Sequence, residues 1–163
     1  MPTTSESRLI AASRTEVWDA VTDLEAAARW NQVWQSVEYL SSQREGVDTT
    51  FRAHTEDGLT HDFRISEWDP PQYVAFAPVK EEPQDKGYLI TLESQSFLLE
   101  PVNDHTNVTL FATAAGHGLR GLFAVRLVWP GYQRQGLARA LDALQALFEP
   151  PQDEDGPEEE VTQ

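Results

Sequence analysis

The chain has 163 residues, carries 12 Lys and Arg against 27 Asp and Glu for a formal net charge of −15, and contains no cysteine. This length fits one domain. The acidity argues against a phosphate-backbone binder, which needs a basic stripe, and the lack of cysteine excludes disulfides, thiolate catalysis and cysteine-ligated metals. No apolar run reaches the ~18 residues of a membrane-spanning helix, and the start MPTTSESR is unlike a signal peptide, so a cytoplasmic domain is expected.

The first element, Ser7 to Ala12, reads as a short strand. It runs into Ser-Arg-Thr-Glu, a capping box in which Ser13 and Glu16 satisfy each other's backbone donors. The helix that follows puts Val17, Trp18, Val21 and Leu24 on one face. A second short helix is expected to end near Trp34. From there the period changes, and six strands are predicted: Ser36–Leu40, Thr49–Thr55, Thr60–Trp68, Tyr73–Ala77, Tyr88–Leu99 and Asn107–Thr113. Turn-rich segments separate them, with Asp57-Gly58 the cleanest hairpin signal. Such short links enforce antiparallel neighbours.

The C-terminal part is helical. Leu137, Leu141, Leu144 and Phe148 fall at i, i+4, i+7 and i+11, and Pro130-Gly131 marks the beginning. Before it, Leu119, Leu122, Phe123 and Leu127 keep helical spacing, so a short helix or a strand end both fit. This apolar stretch is expected to add core packing; a lid over a cavity mouth is the other reading. Residues 149–163 hold seven carboxylates, three prolines and no base, the composition of a disordered tail.

Seven antiparallel strands must cover one face, and the long C-terminal helix is the main element available to do so. A curved sheet crossed by one helix leaves room for a cavity, closed at one end by the small helices. Strand alternation places Phe51, Ala53, Phe63, Ile65, Val74, Phe76, Phe97, Leu99, Leu110 and Ala112 inward, and carries His61, Glu93 and Gln95 with them. A one-residue slip or bulge would reverse any assignment beyond it. The result is an aromatic-lined interior with few polar groups, as in small-molecule pockets.

The stretch LIAASRTEVWDAVTDLEAAARW resembles the opening of the START-like (SRPBCC) superfamily, in its polyketide cyclase/dehydrase and lipid-transport branch, through Val17, Trp18, Asp23 and Trp30. Gly46 before TTFRAH, ISEWDPPQYVAF and SFLLEPVNDHTNVTL are similar to that family's strand–turn–strand units. The resemblance implies an α+β helix-grip fold over residues 1–148: a curved seven-stranded antiparallel sheet around a long C-terminal helix, with two short helices after the first strand. It also implies a hydrophobic cavity for lipids, sterols, polyketides, quinones or hormones, with cyclisation or dehydration in some members. It supplies no universal catalytic residue.

Chemistry is sparse. His54 and His61 sit across a hairpin and could approach each other, but no histidine pair has the convergent spacing of a ligand set, so no metal site is expected. His105 lies in a turn, and His117 stands near the expected cavity mouth, as an acid–base group or a plain turn residue. Glu93 inside an apolar cavity would be driven toward its protonated form, and is the best candidate for a catalytic group. Trp18 is read as core, Trp68 as a rim residue, and Trp30, Trp34 and Trp129 as cavity-entrance residues. The ligand-binding set is therefore Trp30, Trp34, Phe51, His61, Phe63, Ile65, Phe76, Glu93, Gln95, Phe97, Leu110 and Trp129. The leading expectation is carriage of a small hydrophobic molecule without a cofactor. A cyclase or dehydratase using Glu93 and Gln95, and a co-chaperone-like interaction module, are the alternatives; a homodimer is left open.

Overall fold

The computed structural model describes residues 2–79 and 89–149. The capping box forms at its start: Ser13 Oγ accepts from the Glu16 N–H (3.2 Å), and Glu16 Oε2 accepts from the Ser13 N–H (2.8 Å). These bonds hold the Glu16 carboxyl below its ordinary range. They launch helix α1, Arg14–Thr22, which buries Val17, Trp18 and Val21. The expected second helix is a single 3-10 segment, Leu24–Arg29. Trp34 does not end a helix; it opens the next strand. Asn31 explains the early stop, because its side-chain oxygen accepts from the Val33 N–H (3.1 Å) and turns the chain.

Seven strands follow the predicted order: β1 Thr3–Ile10, β2 Trp34–Tyr39, β3 Thr50–Thr55, β4 Thr60–Asp69, β5 Tyr73–Pro78, β6 Ile90–Val102 and β7 His105–Gly116. They form one antiparallel sheet ordered β1-β7-β6-β5-β4-β3-β2. Strand β1 begins earlier than its apolar residues suggest. Its polar start is held on the edge by hydroxyl pairs, Thr3 with Thr113 (3.0 Å) and Ser7 with Thr109 (2.8 Å). The Asp57-Gly58 turn closes the β3–β4 hairpin, with Gly58 at φ +80° and Asp57 accepting from the Leu59 N–H (3.2 Å). The predicted strand start at Tyr88, the turn before it, and the acidic tail from residue 150 onward lie outside the described residues.

Two helices complete the chain. Helix α2, Gly118–Leu127, settles the open reading of that stretch as helical, and α3, Trp129–Ala146, carries Pro130 in its first turn. Helix α3 buries Leu137, Leu141 and Leu144 and packs chiefly along β1. Its C-terminal half is tied there by Arg8 Nε donating to Asp142 Oδ1 (2.9 Å) and Gln145 Nε2 donating to the Leu9 carbonyl (3.0 Å). This is the helix-grip arrangement. Helix α2 does not add the expected core packing: of its large apolar residues only Val125 is buried, and Leu119, Leu122, Phe123 and Leu127 are exposed.

Candidate functional site: a cleft between α3 and the sheet

Every large apolar residue assigned inward by alternation is buried: Phe51, Phe63, Ile65, Val74, Phe76, Phe97, Leu99 and Leu110. Most of them do not line a void. The ring of Trp30 and large rings from β2, β3, β5 and β6 reach one another over the inner face of the sheet, so the space is filled from within. Trp30 meets Trp34 (6.0 Å between centroids), Trp34 meets Phe51 (5.9 Å), Phe51 meets Phe76 (5.7 Å), Phe76 meets Phe97 (6.4 Å), and Phe97 returns to Trp30 (5.2 Å). Several of these contacts are edge-to-face, a favoured ring geometry. Phe51, Ile65, Phe76 and Phe97 are therefore packed core beneath the site rather than its wall.

What stays open is a cleft of about 300 Å³ beside this cluster. Trp30, Trp34, Phe63, Leu92, Gln95 and Leu110 form its sheet side, and α3 between Tyr132 and Ala140 forms the other. On α3, Gln133, Gly136, Leu137 and Ala140 fall at i, i+3, i+4 and i+7, one helical face. Two of those four are small, and an added Cβ on Gly136 would meet no heavy atom within 4 Å. Small residues on the helix opposite tryptophans on the sheet side thus create the space. The Trp30 indole N–H is already spent, donating to the Ala20 carbonyl (3.2 Å). Among the described residues no buried side-chain polar atom lacks a partner.

Of the predicted ligand-binding set, the structure brings Trp30, Trp34, Phe63, Gln95 and Leu110 into this cleft. Trp129 is instead buried in the core at the start of α3. Glu93 is also a correction. The β6–β7 register shifts between Leu92 and Ser94, so Glu93 is the inserted residue and Leu92, opposite Ala114, takes the inward place. The Glu93 carboxylate accepts from Thr91 Oγ1 (3.3 Å), away from the cleft lining. Thr91 in turn hydrogen-bonds His117 Nε2 (2.8 Å), and His117 is exposed.

His61 does share the inward parity, opposite Ala53, but lies exposed at the strand end. It borders a second recess of about 500 Å³ on the far side of Phe63 and Leu92, beside the Arg52–Asp62 pair. His54 points to the other face, toward Glu38 (3.3 Å), so the two imidazoles do not converge. No cluster of three metal-ligating side chains occurs among the described residues. Trp68 is not a free rim residue, since a bulge in β4 turns it against Trp18 (5.0 Å, edge-to-face).

The cleft residues that sequence reasoning missed are Asn31, Val33, Leu92 and the α3 wall, which includes Gly136, Arg139 and Ala140. A signal existed for Gly136: glycine inside a helix costs ~1 kcal/mol relative to alanine, and usually has a local reason.

The sequence profile of a family described as polyketide cyclase / dehydrase and lipid transport matches residues 1–149. The chain belongs to that family. No curated protein matches it. Among solved structures, the chain is similar to the di-domain ARO/CYC BexL from the BE-7585A biosynthetic pathway (TM-score 0.71, 18% identity, 92% of this chain and 48% of that one). It is also similar to the protein XoxI from Bacillus cereus (TM-score 0.69, 16% identity, 91% and 96% covered). A third likeness is to the Aha1 dimer from Colwellia psychrerythraea (TM-score 0.57, 20% identity, 89% and 97% covered). At these identities the likeness is one of fold. No helix among the described residues is long and apolar enough to cross a membrane.

Proposed function

We propose that the cleft between α3 and the sheet binds a small hydrophobic molecule, which the protein carries. The observation behind this reading is the small-residue face of α3, Gly136 and Ala140, set opposite Trp30, Trp34 and Leu92. A volume of about 300 Å³ sits at the lower end of the ~300–1,000 Å³ of small-molecule pockets. The occupant is correspondingly compact, such as a few fused rings or a short acyl chain. Gln95 supplies a donor and an acceptor on the sheet side, suited to one carbonyl or hydroxyl on the ligand. Arg139 at the mouth suits a ligand with an acidic end.

Carriage is favoured over cyclisation or dehydration by the chemistry of the lining. Its described residues include no carboxylate and no imidazole, the groups most used for general acid–base work. Family membership supports hydrophobic ligand binding in general terms. Native mass spectrometry after incubation with a lipid and aromatic extract tests the proposal. One retained small molecule per chain is expected, and it is to be lost in Gly136→Leu. A chain that retains nothing from such extracts, at any stoichiometry, would contradict it.

A further inference from the structure

The sequence stretch from Gly116 to Leu141 contains Arg120, Arg126, Arg134 and Arg139 and no acidic residue, in a chain of net charge −15. All four arginines are exposed, and none has an acidic partner among the described residues. Between them stand large apolar side chains that the fold leaves in solvent: Leu119 is 88% exposed, Phe123 68% and Tyr132 78%, with Leu122, Leu127 and Val128 also at least half exposed.

This face is outward by construction. Gly116 and Gly121 let α2 lie directly on the sheet end, where a Cβ on Gly116 would sit 2.3 Å from the Gly121 carbonyl oxygen. The helix is seated through Gly121 and Val125; Leu119 and Phe123 lie on the opposite side, and Leu122 at its flank. Tyr132 belongs both to this surface and to the cleft rim, and Val33 on the facing rim is exposed as well.

We propose that the α2 face and the first turns of α3 dock onto an anionic lipid surface. Protruding Leu and Phe side chains flanked by arginines, with no acid between, match an interfacial helix that inserts its apolar face among acyl chains and sets guanidiniums at the phosphates. Glu93, linked through Thr91 to His117 at the N-terminus of α2, is the acid that hydrogen bonding brings toward this face; acids farther off than the ~8 Å Debye length are largely screened at physiological salt. A second copy of this chain suits the surface poorly. A two-fold contact would bring Arg120 and Arg126 toward their own copies with no carboxylate from α2 to neutralise them. The docking geometry turns the cleft mouth toward the lipid, but the proposal stands whatever the cleft binds.

Vesicle flotation with the full chain tests this, using 1:1 phosphatidylcholine–phosphatidylglycerol vesicles and pure phosphatidylcholine vesicles at low salt. Binding is expected to the anionic vesicles only. It is to fall about thirtyfold in the Arg120→Gln/Arg126→Gln double variant, near fivefold per arginine, and to disappear in Leu119→Glu/Phe123→Glu. Gly136→Leu, which fills the cleft, is to float like the wild type, so failure of the ligand reading and failure of this one are distinguishable. Absence of wild-type flotation, or retention of it by a folded Leu119→Glu/Phe123→Glu chain, would overturn the proposal. So would a concentration-dependent dimer that this double variant dissolves while no vesicle binding is seen, since the occupant would then be a second copy.

Discussion

The rings of Trp30 and Phe97 meet edge-to-face with 5.2 Å between centroids, and this contact joins the end of the 3-10 segment to the sheet. Trp30 is also fixed from behind by its hydrogen bond to Ala20. It therefore serves as both core and cleft wall. Replacing it by alanine is expected to cost about 3–5 kcal/mol, the range for emptying an aromatic site. Trp30→Phe keeps a ring and loses the hydrogen bond, so it should cost markedly less. Denaturant unfolding of the two variants checks the order.

Gly136 separates the stability of α3 from the capacity of the cleft. Its surroundings are open, so Gly136→Ala should raise stability by about 0.5–1 kcal/mol through helix propensity alone. Ligand binding should change little. Gly136→Leu should preserve the fold and fill the space. Thermal unfolding of both variants, beside wild type, tests the pair.

Gly116 stands where backbone meets backbone, and no side chain can relieve the approach. Gly116→Ala should displace α2 and destabilise the chain by about 1–3 kcal/mol. Faster amide exchange is expected in Leu119–Leu127, with β3 and β4 unaffected.

Arg52 holds Asp62 through two bonds, Nε to Oδ1 (2.7 Å) and Nη2 to Oδ2 (2.9 Å). The side-chain hydrogen bond from Arg52 holds the Asp62 carboxyl below its ordinary range. A carboxyl whose value is lower folded than unfolded stabilises the fold at any pH above the unfolded value, and stops doing so as pH falls through the folded one. Asp62→Asn should thus lose stability at neutral pH, by about 0.5–1 kcal/mol because the pair is partly exposed. The difference from wild type should shrink as pH drops below about 4. Urea unfolding at pH 7 and pH 3 measures it.

Much of the fold was legible because its signals are local. The Ser13–Glu16 box, the Asp57-Gly58 turn and the alternation through Phe51, Phe63, Phe76, Phe97 and Leu110 each depend on a few neighbouring residues. The site was less legible, for three physical reasons. A bulge has no residue signature of its own, so plain alternation assigns Glu93 to the face that Leu92 occupies. Alternation says which way a ring points but not how far it reaches, and Phe51 and Phe76 touch each other where alternation alone suggests a cavity wall. Helical periodicity marks the large residues that pack, Leu137 and Leu141, and passes over Gly136, whose small size makes the opening. The exposure of α2 was hidden for a related reason: its seating rests on Gly116 and Gly121, while its apolar residues suggest burial.

The claim that the cleft takes a small hydrophobic guest is tested most directly by titration with the uncharged fluorophore N-phenyl-1-naphthylamine, followed by energy transfer from the tryptophans at the cleft. Wild type should bind one equivalent saturably with transfer, Leu119→Glu/Phe123→Glu should do the same, and Gly136→Leu should show neither saturation nor transfer. Equal binding by wild type and Gly136→Leu, or binding abolished by the α2 variant alone, would place the fluorophore elsewhere and contradict the account.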